Sequence, residues 1–183
     1  EILKKKNPYE FINGGFFDPN NMKTVSYVTK NGKVALNPLL NESLTKSKFL
    51  QPYLDKIFNR SEFRINDCNG KIIFDISRHN DPVAAGCKVF HSIQAGPQLL
   101  PYMDLDSEFF ILKQNSKIVR TSAGVLSKTA RAAIGIKGDD LYLIVTKEAS
   151  KMDIYEFQNL IKKLCLDKAM AFDGGSSVSL YTN

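Results

Sequence analysis

Three apolar stretches in this chain are each followed by a tight turn and a second apolar stretch. Asn31-Gly32 lies between TVSYVTK and KVAL, Asn69-Gly70 lies between EFRIND and KIIFDIS, and residues 138–140 separate ARAAIGIK from LYLIVTK. Asn-Gly is a strong signal for a two-residue hairpin loop, because both residues tolerate positive φ. The chain is therefore predicted to build much of its fold from antiparallel hairpins. The apolar arm LYLIVTK is expected to lie at the centre of its sheet.

Two other stretches have the periodicity of amphipathic helices. Residues 151–166 carry apolar side chains at helical spacing, with Ser150 as the expected N-cap and Asp153 three residues later. Residues 41–58 carry a broad apolar stripe, although Pro52 predicts an early break. CKVFHSIQA and KAMAF are predicted to be strands, and EFFILK fits either a short helix or a strand.

Hairpins mixed with helices indicate the α/β or α+β class. A chain of 183 residues is long enough for one sizeable core. The predicted fold is a mixed, mostly antiparallel twisted sheet covered by helices, in a single domain that spans residues 1–183. A strong motif so near residue 1 also suggests that upstream sequence was removed.

Composition and charge exclude several classes of protein. The net charge is +6 and the pI is near 9.1, but the lysines are scattered, which indicates a solvated surface rather than a nucleic-acid interface. No apolar run approaches the ~20 residues of a transmembrane helix. Lys4 to Lys6 lead into Pro8 rather than an apolar region, so the first residues are not a signal peptide. The cysteines lack CxxC spacing, which argues against zinc.

Two Gly-Gly bends follow apolar segments that end in a polar residue. FINGGFFDP places Asn13 before its glycines, and AMAFDGGSSVSLY places Asp173 before its glycines. A carboxylate at the end of a buried strand is rigidly held, and glycines after it let a ligand approach the backbone. The alternative is an ordinary tight turn. The ligand-contacting candidates beside these two residues are Gly14, Gly15, Gly174, Gly175, Ser176 and Ser177.

Polar residues interrupt two further apolar segments. HSIQAGPQLL contains His91 and Gln94, which either hydrogen-bond a sugar or are satisfied core residues, and Gly96 precedes Pro97. Arg131 lies within the small, apolar run TARAAIGI. A buried arginine is rarely unpaired, so Arg131 either bridges a carboxylate such as Asp173 or clamps an anion through its planar fork.

INGGFFD, SIQAGPQLL, RAAIGI and AFDGGSS, in this order, resemble the motifs of the phosphodiester glycosidase family. The resemblance runs from about residue 11 to the end of the chain. Many members read Asp-Gly-Gly-Gly-Ser-Ser, and this chain has one glycine fewer. The resemblance implies that Asp173, Arg131 and Asn13 are catalytic, and that Gly96 and the glycines and serines of the two bends contact substrate. His91 and Gln94 are further candidates for substrate contact, because they are polar residues within an apolar run.

The implied reaction is hydrolysis of the sugar C1–O bond of a glycosyl-1-phosphodiester, on a phosphorylated sugar or polysaccharide. Alternatives are a metal-dependent phosphodiesterase that cleaves P–O, with Asp173 and Asn13 as ligands for Ca²⁺ or Mg²⁺, and a non-catalytic polysaccharide-binding domain. No cofactor is otherwise implied, and the sequence sets no oligomeric state.

Family resemblance also implies an exported protein that is periplasmic, secreted or at the cell surface. Cys68 precedes a hairpin turn and Cys87 begins a predicted strand, so export would favour a disulfide between them. The alternative is three free thiols. Cys165 lies in the 151–166 helix pattern and is expected to be buried and single.

Overall fold

The computed structural model describes residues 10–182, apart from the side chain of Glu148. The charged segment at Lys4 to Lys6 therefore lies outside the described residues. The strands are β1 (Glu10–Ile12), β2 (Val28–Lys30), β3 (Lys33–Leu36), β4 (Ser61–Cys68), β5 (Lys71–Arg78), β6 (Cys87–Gln94), β7 (Gln98–Leu100), β8 (Ile111–Gln114), β9 (Lys117–Thr121), β10 (Ala132–Lys137), β11 (Asp140–Val145), β12 (Lys168–Ala171) and β13 (Leu180–Thr182). The helices are α1 (Glu42–Thr45), α2 (Leu54–Phe58) and α3 (Ile154–Lys162).

The strands form two main antiparallel sheets and two small two-stranded sheets. One sheet has the order β3-β2-β6-β4-β5, and the other has the order β11-β10-β12-β7. β1 pairs with β13, and β8 pairs with β9. The three predicted hairpins are β2-β3, β4-β5 and β10-β11, so the predicted mostly antiparallel α+β class is confirmed.

The fold has three layers. Apolar residues of β4, β5 and β6 pack against one face of the four-stranded sheet, where Ile134, Ile136 and Met170 are buried. The other face of that sheet packs against α3. Gly135 lies on the helix-facing side, where a Cβ would approach Leu166 Cδ1 to 2.5 Å. Small residues on this face therefore allow close packing of the segment that follows α3.

The predicted helix at 151–166 is shorter and begins later than expected. Its N-cap is Asp153 rather than Ser150, and Asp153 forms a capping box with Glu156. The helix ends at Lys162, and Cys165 has φ +52° in the turn that follows. Cys165 is exposed, so the prediction that it is buried is wrong, because it lies beyond the helix.

The predicted helix at 41–58 is broken into short pieces. α1 ends at Thr45, and a 3₁₀ turn that contains Pro52 precedes α2. This agrees with the helix-breaking effect expected of proline. EFFILK, residues 108–113, fitted either a short helix or a strand. It forms a strand, β8, which begins only at Ile111.

The prediction that LYLIVTK is a central strand is wrong. Its strand, β11, lies at the edge of the four-stranded sheet and is exposed over residues 140–142. β10 is interior instead, because its Ala, Gly and Ile residues fit between the two covering layers. Within the described residues, no helix is long and apolar enough to cross a membrane.

Candidate active site

A cleft of about 690 Å³ opens where β12 ends and where β7 and β10 begin. Its wall draws residues from the segments 16–25, 44–60, 96–97, 109–131 and 171–177 and from Ile154. Among the described residues, the charged side chains in this wall are those of Arg60, Arg120, Arg131 and Asp173. The cleft therefore combines three arginines with a single carboxylate.

Two hydrogen bonds of its own main chain hold Asp173 in place. Its N–H donates to the Gly14 carbonyl at 3.0 Å, and its own carbonyl accepts from Asn13 Nδ2 at 2.7 Å. Burial raises the pKa of the Asp173 carboxyl, while hydrogen bonds from the Ser177 side chain and the Gly174 N–H partly offset this shift. A carboxylate with a raised pKa is a stronger base than an exposed aspartate.

The glycines after Asp173 allow a turn that side chains would obstruct. Gly175 has φ +64°, and its N–H donates to the Ala130 carbonyl at 2.9 Å. A Cβ on Gly174 would approach the same carbonyl to 3.1 Å. The turn therefore brings Ser176 and Ser177 into the wall of the cleft beside Asp173.

Arg131 is held by backbone carbonyls rather than by a carboxylate. Its Nε and Nη2 lie 2.7–3.1 Å from four acceptor oxygens, those of Gly124, Val125, Ser127 and Met152. Nη1 has no hydrogen-bond partner among the described residues, and it lies 3.9 Å from the position a Cβ would take on Gly174. Burial lowers the pKa of Arg131, and the charge of Asp153 opposes that shift.

The described residues therefore show no ion pair between Arg131 and Asp173, although both line the cleft. Of the two roles that the sequence left open for Arg131, this arrangement favours the anion clamp. Carbonyl acceptors orient the guanidinium without neutralising its charge, so the charge stays available to a ligand.

Arg60 and Arg120 are cleft residues that the sequence analysis missed. Arg60 is 7% exposed, its Nε donates to the Glu108 carbonyl at 2.9 Å, and its guanidinium lies 4.2 Å from the centroid of the Phe110 ring. Burial lowers the pKa of Arg60 to about 10; the charge of Glu108 opposes this shift, and that of Arg120 adds to it. At neutral pH Arg60 is still cationic.

Arg120 lies over Phe109 at 4.3 Å from the ring centroid, and its Nη1 donates to the Phe109 carbonyl at 3.3 Å. Burial lowers its pKa as well. No local pattern distinguishes Arg120 from a surface arginine in the sequence. For Arg60 there is one weak local signal, because it follows the apolar pair Ile57 and Phe58 by two residues.

The Glu108 side chain packs against the turn at Gly96 and stabilises it. It is fully buried, its Oε1 accepts from Gln98 N at 2.8 Å, and its Oε2 accepts from Ser61 N at 2.8 Å. Gly96 has φ +102°, and a Cβ there would approach Glu108 Oε2 to 2.6 Å. Gly96 lines the cleft, and it must be glycine for this packing.

The first Gly-Gly bend lies behind Asp173 rather than in the cleft wall. Asn13 Oδ1 accepts from Ser179 N at 3.2 Å, while its Nδ2 holds Asp173. A Cβ on Gly14 would approach Ile93 Cδ1 to 2.5 Å, and one on Gly15 would approach the Gln94 carbonyl to 2.5 Å. Asn13, Gly14 and Gly15 thus pack the bend against β6 and position Asp173 through its backbone.

Gln94 is fully buried and lies outside the cleft wall, so the geometry does not meet the expectation that it contacts substrate. Its Nε2 donates to the Phe58 carbonyl at 2.7 Å, and its Oε1 accepts from Tyr27 N at 3.3 Å. Gln94 instead links the backbone of Phe58, two residues before Arg60, to the backbone of Tyr27.

His91 also lies outside the cleft wall. Its ring packs edge-on against Phe90, and its Nδ1 accepts from Asn31 N at 3.4 Å. Its contacts therefore stabilise the β2-β3 turn, and the cleft does not present its ring to a ligand.

Asn13 and Asp173, the Ca²⁺ or Mg²⁺ ligands of the alternative phosphodiesterase hypothesis, are not arranged as a ligand set. The Asn13 amide oxygen is occupied by Ser179 N, and Asn13 meets Asp173 through backbone. Within residues 10–182, no three His, Cys, Asp or Glu side chains are grouped to hold a metal ion.

Comparisons with known proteins agree on the fold. The chain is similar to the catalytic domain of zebrafish N-acetylglucosamine-1-phosphodiester alpha-N-acetylglucosaminidase, solved auto-inhibited by its pro-peptide, with 15% identity over 98% of this chain and 55% of that chain and a TM-score of 0.66. It is also similar to a hypothetical protein from Synechocystis, with 14% identity over 99% of this chain and 48% of that chain and a TM-score of 0.59.

The chain thus spans about half the length of these two structures. No curated protein sequence matches it. A sequence model of the phosphodiester glycosidase family matches residues 7–183. Because that match covers nearly the whole chain, and the predicted motifs fall inside it, this chain belongs to the phosphodiester glycosidase family.

Proposed function

We propose that the cleft hydrolyses the anomeric C–O bond of a glycosyl-1-phosphodiester and releases a free sugar and a phosphomonoester. The observation that carries this proposal is the charge content of the cleft, in which three arginines accompany one carboxylate. A cleft of this kind suits a substrate that carries its own negative charge beside the bond that breaks.

The single carboxylate agrees with the chemistry of the leaving group. A glycosidase that expels an alcohol needs a second carboxyl group to protonate it. A phosphomonoester has a second pKa of about 6, so it leaves with little proton donation. Stabilising charge on the departing phosphate is then the main requirement, and arginine donors supply it.

Asp173 is the general base in this proposal. Water attacks C1, its proton passes to the Asp173 carboxylate, and the C1–O electron pair departs with the phosphomonoester. A general base typically contributes about 10²–10⁴-fold to the rate. The burial that raises the pKa of Asp173 strengthens it as a base.

The arginines handle the phosphodiester. Arg131 presents Nη1 toward the Gly174 bend, next to Asp173. Arg60 and Arg120 extend the cationic wall along Phe109 and Phe110. An N-acetylglucosamine 1-phosphodiester is the first substrate to test, because the zebrafish protein with a similar fold is named for that group.

We also propose that the protein works outside the cytoplasm, on a phosphorylated sugar or surface polysaccharide. The Cys68–Cys87 disulfide that joins β4 to β6 supports this location, because disulfides persist in oxidising compartments. Thiol counting on denatured, unreduced protein from an oxidising compartment is expected to find one thiol, that of Cys165. Three thiols would contradict the location.

The experiment that tests the activity compares wild type with Asp173→Asn on methyl diesters of several sugar 1-phosphates. Wild type is expected to release sugar and methyl phosphate from at least one diester. Asp173→Asn is expected to lose nearly all of this turnover, with a melting temperature at or above that of wild type. A folded wild-type protein that cleaves none of the diesters would overturn the proposal. Turnover retained by Asp173→Asn would overturn the role of Asp173.

A further inference from the structure

The cleft lining includes an apolar part that the proposed reaction does not use. Phe17, Pro19, Leu44 and Leu50 line this part, and none of their side chains carries a polar atom. Phe17 is 46% exposed and contributes to the cleft lining. Together these four residues form the apolar wall of the cleft.

The apolar wall is a built surface rather than a loose loop. The segment that holds Phe17 and Pro19 is tied to the start of α1 through Asn41, which is fully buried. Asn41 Oδ1 accepts from Asn21 Nδ2 at 2.9 Å, and Asn41 Nδ2 donates to the Thr24 carbonyl at 3.3 Å. Lys23 Nζ also reaches the Leu40 carbonyl at 3.2 Å.

Aromatic and cationic contacts join the apolar wall to the reacting end of the cleft. Phe16 precedes Phe17 and packs against Phe110 with ring centroids 5.8 Å apart, and Arg60 lies over both Phe16 and Phe110. Phe16 follows the bend that holds Asp173. Phe16 therefore links Arg60, the bend that holds Asp173 and Phe17 of the apolar wall.

The chemistry of the lining residues assigns the two ester substituents. The sugar lies toward Asp173, because C1 must be within reach of the base, and this end also offers the polar side chains of Thr129, Ser176 and Ser177. The other substituent lies toward the apolar wall. A polar group there would lose its hydrogen bonds to water without replacement, whereas an apolar group would gain by burial.

We propose that the cleft takes glycosyl-1-phosphodiesters whose second substituent is an aliphatic chain, such as an alkyl or isoprenyl alcohol. This inference rests on the proposed function for the orientation of the substrate. Each methylene removed from water is expected to improve binding by about fourfold until the apolar wall is covered.

The test uses methyl, hexyl and decyl diesters of α-N-acetylglucosamine 1-phosphate below their critical micelle concentrations. Dissociation constants are measured by calorimetry on Asp173→Asn, which is expected not to consume the diesters, and turnover is measured on wild type. Hexyl and decyl diesters are expected to bind at least tenfold more tightly than the methyl diester, with a parallel rise in kcat/KM.

Two variants test whether the gain in affinity with chain length arises at the apolar wall. Phe17→Ser and Leu44→Ser are expected to lower the decyl-to-methyl ratio severalfold. The matched control is Val34→Ser on β3, because Val34 is 60% exposed and lies outside the cleft. Its ratio is expected to equal that of wild type. Melting temperatures of all variants identify any loss of folding. The decyl-to-methyl affinity ratio is calculated within each variant, so a general loss of binding does not change it.

The outcomes separate the inference from the proposed function. A methyl diester that is cleaved, with no gain along the series, would overturn the aliphatic substituent and keep the hydrolase. A gain in affinity along the series without cleavage of any diester would support the aliphatic ligand and count against the hydrolase. An equal loss of ratio in Val34→Ser would overturn the assignment to the apolar wall.

Discussion

Asn13 Nδ2 donates to the Asp173 carbonyl oxygen at 2.7 Å, across 160 positions of sequence. The same asparagine accepts from Ser179 N, so it fastens the loop after β12 to the loop before β13. The polar residue of one Gly-Gly bend thus positions the carboxylate of the other. Its effect on the reaction should arise through the placement of Asp173 rather than through contact with substrate.

Asn13→Ala is expected to lower kcat by about 10- to 100-fold, because a misplacement of about 1 Å costs on this order. KM should change little, since Asn13 does not line the cleft. Steady-state kinetics on the methyl diester measure both. Asn159→Ala, on the exposed face of α3, is the control. A rise in KM with an unchanged kcat would mean that Asn13 binds substrate instead.

The raised pKa of Asp173 makes stability depend on pH. An acid whose pKa is raised by folding stabilises the protein below its unfolded-state pKa of about 3.9, and this contribution is lost as pH rises through the folded-state pKa. Asp173→Asn cannot ionise. Its melting temperature relative to wild type should therefore increase between about pH 4 and pH 7. Scanning calorimetry at several pH values measures this difference, and a constant or falling difference would contradict the burial of Asp173.

Arg131→Lys keeps the charge but removes the planar fork that meets four carbonyl oxygens. We expect a loss of about 2–3 kcal/mol in the free energy of unfolding, because an ammonium cannot satisfy all of these buried acceptors. The kcat/KM of the folded fraction should fall by about 10²–10³-fold, as for the loss of a donor that stabilises a transition-state charge.

Arg120→Lys is the comparison, because Arg120 is less buried and has one carbonyl acceptor, that of Phe109. Urea unfolding should show a smaller loss of stability for Arg120→Lys than for Arg131→Lys. If Arg131→Lys has the stability and the kcat/KM of wild type, the planar fork of Arg131 contributes neither to stability nor to catalysis.

Gln94→Ala should affect stability more than substrate affinity. The variant leaves the Phe58 carbonyl without its donor in a buried position, which costs about 1–3 kcal/mol. Urea unfolding measures the loss, and KM for the methyl diester should stay within about twofold at temperatures where the variant is folded. A stable variant with a strongly raised KM would restore the original expectation that Gln94 contacts the sugar.

Elements that depend on local chemistry were predictable from the sequence. The Asn-Gly turns at 31–32 and 69–70 require positive φ, which few residues adopt, and both form the predicted hairpins. The disulfide between Cys68 and Cys87 follows the pairing of β4 with β6, which places these residues opposite each other. Asp173 was a candidate because a carboxylate and two glycines follow a buried strand, and the structure places Asp173 in the cleft wall.

Features that depend on tertiary context were not predictable. LYLIVTK is as apolar as an interior strand, and only the order of pairing places β11 at an edge. Gln94 and Asn13 have the composition of ligand-contacting residues, yet their partners are distant backbone groups. Arg60 gains its cleft position from packing on Phe110, a contact that spans fifty positions.

The bond that breaks tests the central claim most directly. The wild-type protein is incubated with the methyl diester that it cleaves in ¹⁸O-labelled water, and the phosphomonoester product is weighed by mass spectrometry. The phosphate is the informative product, because the anomeric hydroxyl of a free sugar exchanges with water. Attack at C1 predicts methyl phosphate without ¹⁸O. One ¹⁸O atom in the phosphate product would show P–O cleavage and contradict the account.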